Sequence, residues 1–326
     1  MMDLISGTDI NLALQQGPNW LTIAMQLVTL FGTTEFYLLI ISAVYWCYDP
    51  RLGVRLALIT GLSGWINDIL KLSMQLPRPC WVNSQVQMLN LKPELSFGFP
   101  SAHAQMTLPF YGMIGYWIKS WKFLIAIMFF ILTIGISRMY LGLHFPVDVL
   151  GGWLFGLLFF VAFMFLDKPV SDHIAKWSSL KIIGTGLILS ILLILITTFI
   201  SAGQSTFSIP TGWAGVDHAV IPNSVLFSMK SSILTSGFLF GIITGGVCAR
   251  GLPFNVAGPF GLQLKRYLLG LSGIVLSGLI FWILIPIVRG YAANLLLWMV
   301  SILVGIWILY GAPWIFIQVG LNGDTD

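Results

Sequence analysis

The chain has 326 residues, 57% of them hydrophobic and 9% charged, with a net charge of +4 and a mean hydropathy of +0.90. Soluble domains carry about 25% charged residues, so too few charges remain to cover a water-facing surface, and apolar stretches recur from end to end. A soluble domain is excluded, no low-complexity run or nucleic-acid partner is indicated, and the three cysteines Cys47, Cys80 and Cys248 make no disulfide framework.

Residues 1–19 have neither a basic n-region nor an apolar core and do not read as a signal peptide. Trp20 to Phe31 is short for a span, which needs about 20 residues. It reads as an interfacial or re-entrant helix ahead of the Gly32-Thr33-Thr34 break, with a tilted hairpin as the alternative. Nine spans follow, at about 34–48, 53–74, 101–118, 122–140, 146–166, 181–200, 232–249, 267–288 and 292–318. The predicted fold is all-α: a polytopic transmembrane helical bundle, with a six-helix core and further C-terminal spans. The divisions expected are an N-terminal segment 1–33, a core 34–200, and an external loop with three spans over 201–326.

Alternating the helix ends sorts the basic residues. Arg51, Arg55, Lys119, Lys122, Lys168, Lys176, Lys181, Arg250, Lys265 and Arg266 fall on one side; Lys71, Arg78, Lys92, Arg138, Lys230 and Arg289 fall on the other. The larger set sits in short loops and is assigned to the cytoplasm. Loop 201–230 is then external. Gly237, Gly241 and Gly245 form a small-residue stripe suited to close helix packing. Trp81, Trp117, Trp121 and Trp213 read as interfacial anchors.

Three segments concentrate polar residues where hydropathy allows few: Lys71 with Arg78-Pro79, then Pro100-Ser101-Ala102-His103, then Ser137-Arg138 with His144 and Asp148. With the spans as drawn, all three lie at one membrane face. Ionisable groups at membrane depth cost several kcal/mol and mark functional sites. Three converging cations need an anion, and phosphate suits the planar fork of Arg and the compact charge of Lys. Ser101 stands at an N-cap and Pro146 at a first helical turn, so two helix N-termini add to the same anion site. His144 precedes Asp148 by four residues, which lets the carboxylate orient one ring nitrogen and leave the other as a nucleophile. His103, from another helix, is free to protonate a leaving oxygen. Two histidines and an aspartate are also a conceivable zinc set, but the three cations beside them oppose it, and neither metal nor cofactor is expected. Asp68, one turn before Lys71, is expected to pair with it, and Glu35 to be an exposed helix-start carboxylate.

These segments resemble the signature of the type 2 phosphatidic acid phosphatase superfamily, K-x6-RP, PSGH and SR-x5-H-x3-D, at every position except Ala102, where the family has Gly. The flanking runs GWINDILKLSMQLPRPCWV and SRMYLGLHFPVD resemble those of glucose-6-phosphatase and sphingosine-1-phosphate phosphatases. The resemblance implies a phosphatase acting through a phosphohistidine. Lys71, Arg78, Ser101, the backbone N–H of Ala102 and Arg138 would hold phosphate; His144 would be the nucleophile, Asp148 its partner and His103 the acid. A site facing outward from a plasma or inner membrane suits a lipid phosphomonoester or diphosphate, such as a polyprenyl diphosphate, a phosphatidate-type lipid or a sphingoid-base phosphate. A sugar phosphate, transfer to another lipid, or a non-catalytic lipid-binding or transport protein on the same fold are the alternatives, and no oligomeric state is implied. On this topology a cysteine placed in loop 201–230 should react with a membrane-impermeant thiol reagent in intact cells, and one near Lys176 should not. The opposite labelling would invert the chain.

Overall fold

The computed structural model describes residues 7–90, 94–203, 207–210, 213, 226–284 and 286–323. Lys92, His218 and most of loop 201–230 lie outside them. Among the described residues all regular structure is helical: α1 Thr8–Gln15, α2 Asn19–Leu30, α3 Thr34–Cys47, α4 Pro50–Met74, the short α5 Pro79–Val82, α6 Ala102–Ile118, α7 Trp121–Tyr140, α8 Pro146–Ile174, α9 Ser179–Ala202, α10 Lys230–Cys248, α11 Phe260–Leu284, α12 Tyr291–Ile306 and α13 Ala312–Gln318. A wider π turn, Trp307–Gly311, joins the last two.

A helix accounts for each of the nine predicted spans. Six runs are long and apolar enough to cross a membrane: α7, α8, α9, α10, α11 and the run Tyr291–Gln318. A seventh is made by α2 and α3 together, bent by 51° at the Gly32-Thr33 break. The charged residues Arg51, Arg55, Asp68 and Lys71 of α4, and the 17-residue length of α6, keep these two below that measure. The protein is an integral membrane protein.

The chain divides into two compact units. The first comprises Met1–Phe36, Ile66–Met164 and Thr197–Met229. Here α7 packs on α6, α2 and α1. Ser101 caps α6 by accepting from Ala104 N at 3.5 Å, and Ser120 caps α7 by accepting from Phe123 N at 3.4 Å. Between α6 and α8 the backbones nearly touch. A Cβ at Gly152 would lie 2.7 Å from Ser101 O, and one at Gly156 would lie 2.5 Å from Gln105 O. No side chain fits there, and this contact sets Ser101 N against Asp148 O at 3.0 Å. Trp81 and Trp213 are not interfacial anchors. They are buried, and with Phe97, Phe207 and Phe227 they form an aromatic cluster. Tilted and edge-to-face ring pairs of this kind add about 0.5–1.5 kcal/mol each beyond the area they bury.

The second unit comprises Tyr37–Trp65, Phe165–Ile196 and Lys230–Asp326. The predicted glycine stripe is a packing face: Cβ atoms at Gly237 and Gly241 would meet Ser301 Oγ at 2.1 Å and Ile302 O at 2.3 Å on α12. Arg266, grouped above with loop residues, is fully buried near the start of α11, where it donates to the carbonyls of Leu321, Val256 and Ala257 at 2.5, 2.6 and 3.0 Å. The π turn has a chemical cause. Pro313 has no N–H, so the carbonyls of Ile308 and Leu309, which a π- or α-register donor at 313 would satisfy, are left open. Buried Trp46 Nε1 donates to Ile308 O at 2.8 Å and Tyr45 OH to Leu309 O at 2.9 Å. An open backbone carbonyl in an apolar interior costs about 1–3 kcal/mol. Tyr45→Phe should therefore lower the thermal midpoint of the purified protein, and Pro313→Ala, which restores an N–H, should shrink that loss. Additive losses in the double variant would show that the two groups do not share the carbonyl.

Candidate active site

The residues picked from the sequence lie in the first unit, at the ends of α4, α6, α7 and α8 and in the loops between them. Arg78 is fully buried, and carbonyls direct its guanidinium: Nε donates to Ser96 O at 2.7 Å, Nη1 to Leu143 O at 2.9 Å, and Nη2 to Ser96 Oγ at 3.0 Å and Phe97 O at 3.3 Å. Lys71 Nζ donates to the carbonyls of Phe97 and Gly98 at 2.5 and 3.3 Å. Asp68 acts on it through its field, while those bonds go to the backbone. Arg138, also fully buried, donates from Nη1 to Thr29 Oγ1 at 2.6 Å and from Nη2 to Glu94.

His144 and Asp148 meet as the four-residue spacing implies. Asp148 Oδ2 lies 3.3 Å from His144 Nδ1 and accepts from Phe145 N at 2.9 Å, which pins the carboxylate to the turn that carries the histidine. Nε2 of His144 faces Arg78 Nη1 at 3.3 Å. Guanidinium can only donate, so this nitrogen carries the lone pair and the proton resides on Nδ1, toward Asp148. Burial first, then the charge of Arg78, holds the His144 imidazole well below its ordinary pKa and therefore neutral. His103 is half-buried, within electrostatic reach of Arg138, Glu94, Arg78 and Lys71. Its Nε2 and the Nε of Arg138 are buried without a protein partner. Ser101 is fully buried and turned to its own helix, and Ala102 opens α6 beside it.

Four residues escaped the sequence reading. Glu94 is the foremost. Its carboxylate bonds Arg138, lies 3.1 Å from Arg78 Nη1 and stands 3.9 Å from His144 Nε2. Burial alone would raise its pKa; the Arg138 and Arg78 guanidiniums outweigh that and hold it well below the usual carboxylate range. The signal was there in part, since Glu94 is the only acidic residue between Asp68 and Asp148. Asn11 donates to Met139 O at 2.7 Å and to His144 O at 3.1 Å, steadying the histidine's backbone from α1. Thr29 receives Arg138. Gly32 lies beside His103, where a Cβ would come within 2.6 Å of ring Cδ2. The N-terminal segment thus supplies a wall of the cluster. Among the described residues, no three His, Cys, Asp or Glu groups are arranged as a metal set.

Buried cations around one anion, with a neutral histidine facing them, on membrane-crossing helices, define a membrane phosphatase. The chain belongs to the PAP2 superfamily, whose signature matches residues 52–169; the PAP2 superfamily phosphatase transmembrane extension matches 233–324. It is 33% identical to phosphatidylglycerophosphatase B of Bacillus subtilis over 172 residues, 48% of this chain and 79% of that protein. It is 28% identical to sphingosine-1-phosphate phosphatase 1 of Rattus norvegicus over 58% of this chain and 45% of that protein. An undecaprenyl-diphosphatase of Sulfolobus acidocaldarius is 28% identical over 32% of this chain and 50% of that protein. The chain therefore covers under half of the rat phosphatase. No solved structure matches the chain.

Misplacing a reacting group by about 1 Å can cost roughly 100-fold in rate. Gly32→Ala should accordingly lower kcat strongly in a protein that still purifies folded. Wild-type kcat in that variant would show that the His103 ring has room to move.

Proposed function

We propose that this chain hydrolyses a lipid phosphomonoester or diphosphate at the outer face of the membrane, through a phosphohistidine on His144. The observation that carries this reading is the place of the Glu94 carboxylate, in contact with Arg78 and Arg138 and 3.9 Å from His144 Nε2. An anionic oxygen is already held there beside an unprotonated nitrogen. A phosphoryl group in that place takes its non-bridging oxygens to Arg78, Arg138 and Lys71, with the N-terminus of α6 at Ser101 and Ala102 adding its dipole.

Nε2 of His144 then attacks phosphorus. The new N–P bond forms as the P–O bond to the leaving group breaks, and His103 gives its proton to the departing oxygen. Asp148 stabilises the imidazolium that develops. Water next attacks phosphorus, passes its proton to His103, and the N–P bond breaks to release inorganic phosphate. Both histidines end as they began. Binding and charge stabilisation by the cations carry most of the acceleration, and no metal enters a step. The sidedness rests on the basic-residue distribution, and the lipid substrate class on the membrane setting and on what the relatives' names record of those proteins.

Removing the nucleophile and removing the acid should differ. His144→Ala should lose turnover on every substrate. His103→Ala loses proton donation, worth about 10²–10⁴-fold, and should keep more of its activity on p-nitrophenyl phosphate or a diphosphate than on an alkyl phosphate. The assay is phosphate release with EDTA present, followed by an alkaline quench and a search for label on His144. Equal losses across leaving groups, label on His103, or activity that EDTA removes and a divalent cation restores would each overturn the assignment.

A further inference from the structure

Glu94 raises a problem of competition. A site built to hold phosphate in a bilayer is surrounded by phosphodiester headgroups, each a monoanion able to dock on Arg78 and Arg138. A phosphomonoester differs from them in charge, carrying about −1.5 to −2 at pH 7. Glu94 is itself a monoanion, attached to the chain next to both guanidiniums, so it competes with a high effective concentration. Its side chain is 25% exposed while those of Arg78 and Arg138 are 0% and 1% exposed, so Glu94 reaches the two buried cations from the more open side of the cluster.

We propose that Glu94 is a specificity-determining residue: its carboxylate competes for Arg78 and Arg138, so that dianionic phosphomonoesters and diphosphates displace it while monoanionic phosphodiesters do not. This rests on the reading of Arg78 and Arg138 as phosphate ligands and goes beyond it. A diester replacing Glu94 exchanges one single negative charge for another and forfeits the tether. A monoester brings a further charge to Lys71 and a further oxygen to the buried donors. With neutral glutamine at 94 the selectivity for charge weakens to what Lys71 and the buried donors alone supply, because any anion then finds the two guanidiniums unopposed.

The test compares wild type, Glu94→Gln and Glu94→Asp in detergent micelles, using p-nitrophenyl phosphate as substrate and adding phosphatidylglycerol as a diester competitor. The expected result is inhibition by phosphatidylglycerol at least about tenfold stronger in Glu94→Gln, as removal of a like charge from a shared site implies. KM for the monoester should fall as well, and Glu94→Asp should behave as wild type. Equal inhibition of Glu94→Gln and wild type overturns the proposal. Should Glu94→Gln not fold, wild type alone decides: methyl phosphate must compete at least about tenfold better than dimethyl phosphate, and equal competition overturns the proposal. Vanadate binding separates the two levels. If wild type binds vanadate and Arg138→Ala does not, the phosphate site stands whichever way Glu94 falls. If wild type binds no vanadate, the site reading and this inference fall together.

Discussion

Two guanidiniums taken fully out of water within one cluster are the constraint from which the rest of the site follows. Desolvating an ion costs several kcal/mol even after relaxation, and the cost is recovered only when its hydrogen-bonding positions are filled with good geometry. Arg78 meets this with the carbonyls of Ser96, Phe97 and Leu143, which obliges the segment before α6 and the turn before α8 to wrap the same side chain. That turn carries His144. The loop conformation, the cation's direction and the histidine's position are therefore one solution to one electrostatic problem. The cluster also cannot be left without a counter-charge, and the Glu94 carboxylate supplies it.

Backbone proximity is the second ordering influence. Where Gly152 and Gly156 let α8 lie against the start of α6, two helix N-termini from distant parts of the chain share one place, and Asp148 and Ser101 are joined through the main chain. The extension solves a different problem by similar means. Pro313 withholds a donor, and Trp46 and Tyr45 close the gap it leaves, so a residue that would break a helix in isolation becomes the anchor of α3 in the second unit.

Much of this was legible in the sequence, for identifiable reasons. Hydropathy located the nine helices because length and apolarity are local properties. The spacing of His144 and Asp148 could be read because both lie within one helical turn. Glu94 could not, because it stands 16 positions beyond Arg78 with no regular period linking them, and only the fold sets the two side chains together. Asn11, Thr29 and Gly32 were hidden for the same reason, more than 100 residues from Met139 and Arg138 or set against His103 by a helix bend. The tryptophans misled because Trp81 lies near a helix end, as interfacial anchors do, and the burial of Trp81 and Trp213 depends on partners beyond any local window.

The position of Asn11, Thr29 and Gly32 bears on where this enzyme begins as a chemical object. The family signature starts at residue 52, and a chain shortened to that boundary would keep every motif residue. It would also lose the amide that holds His144's carbonyl, the hydroxyl that receives Arg138, and the backbone wall against which His103 packs. Sequence likeness and chemical completeness therefore have different borders in this protein. A minimal unit drawn by similarity alone would be recognisable to a sequence comparison and lack one wall of its charged cluster.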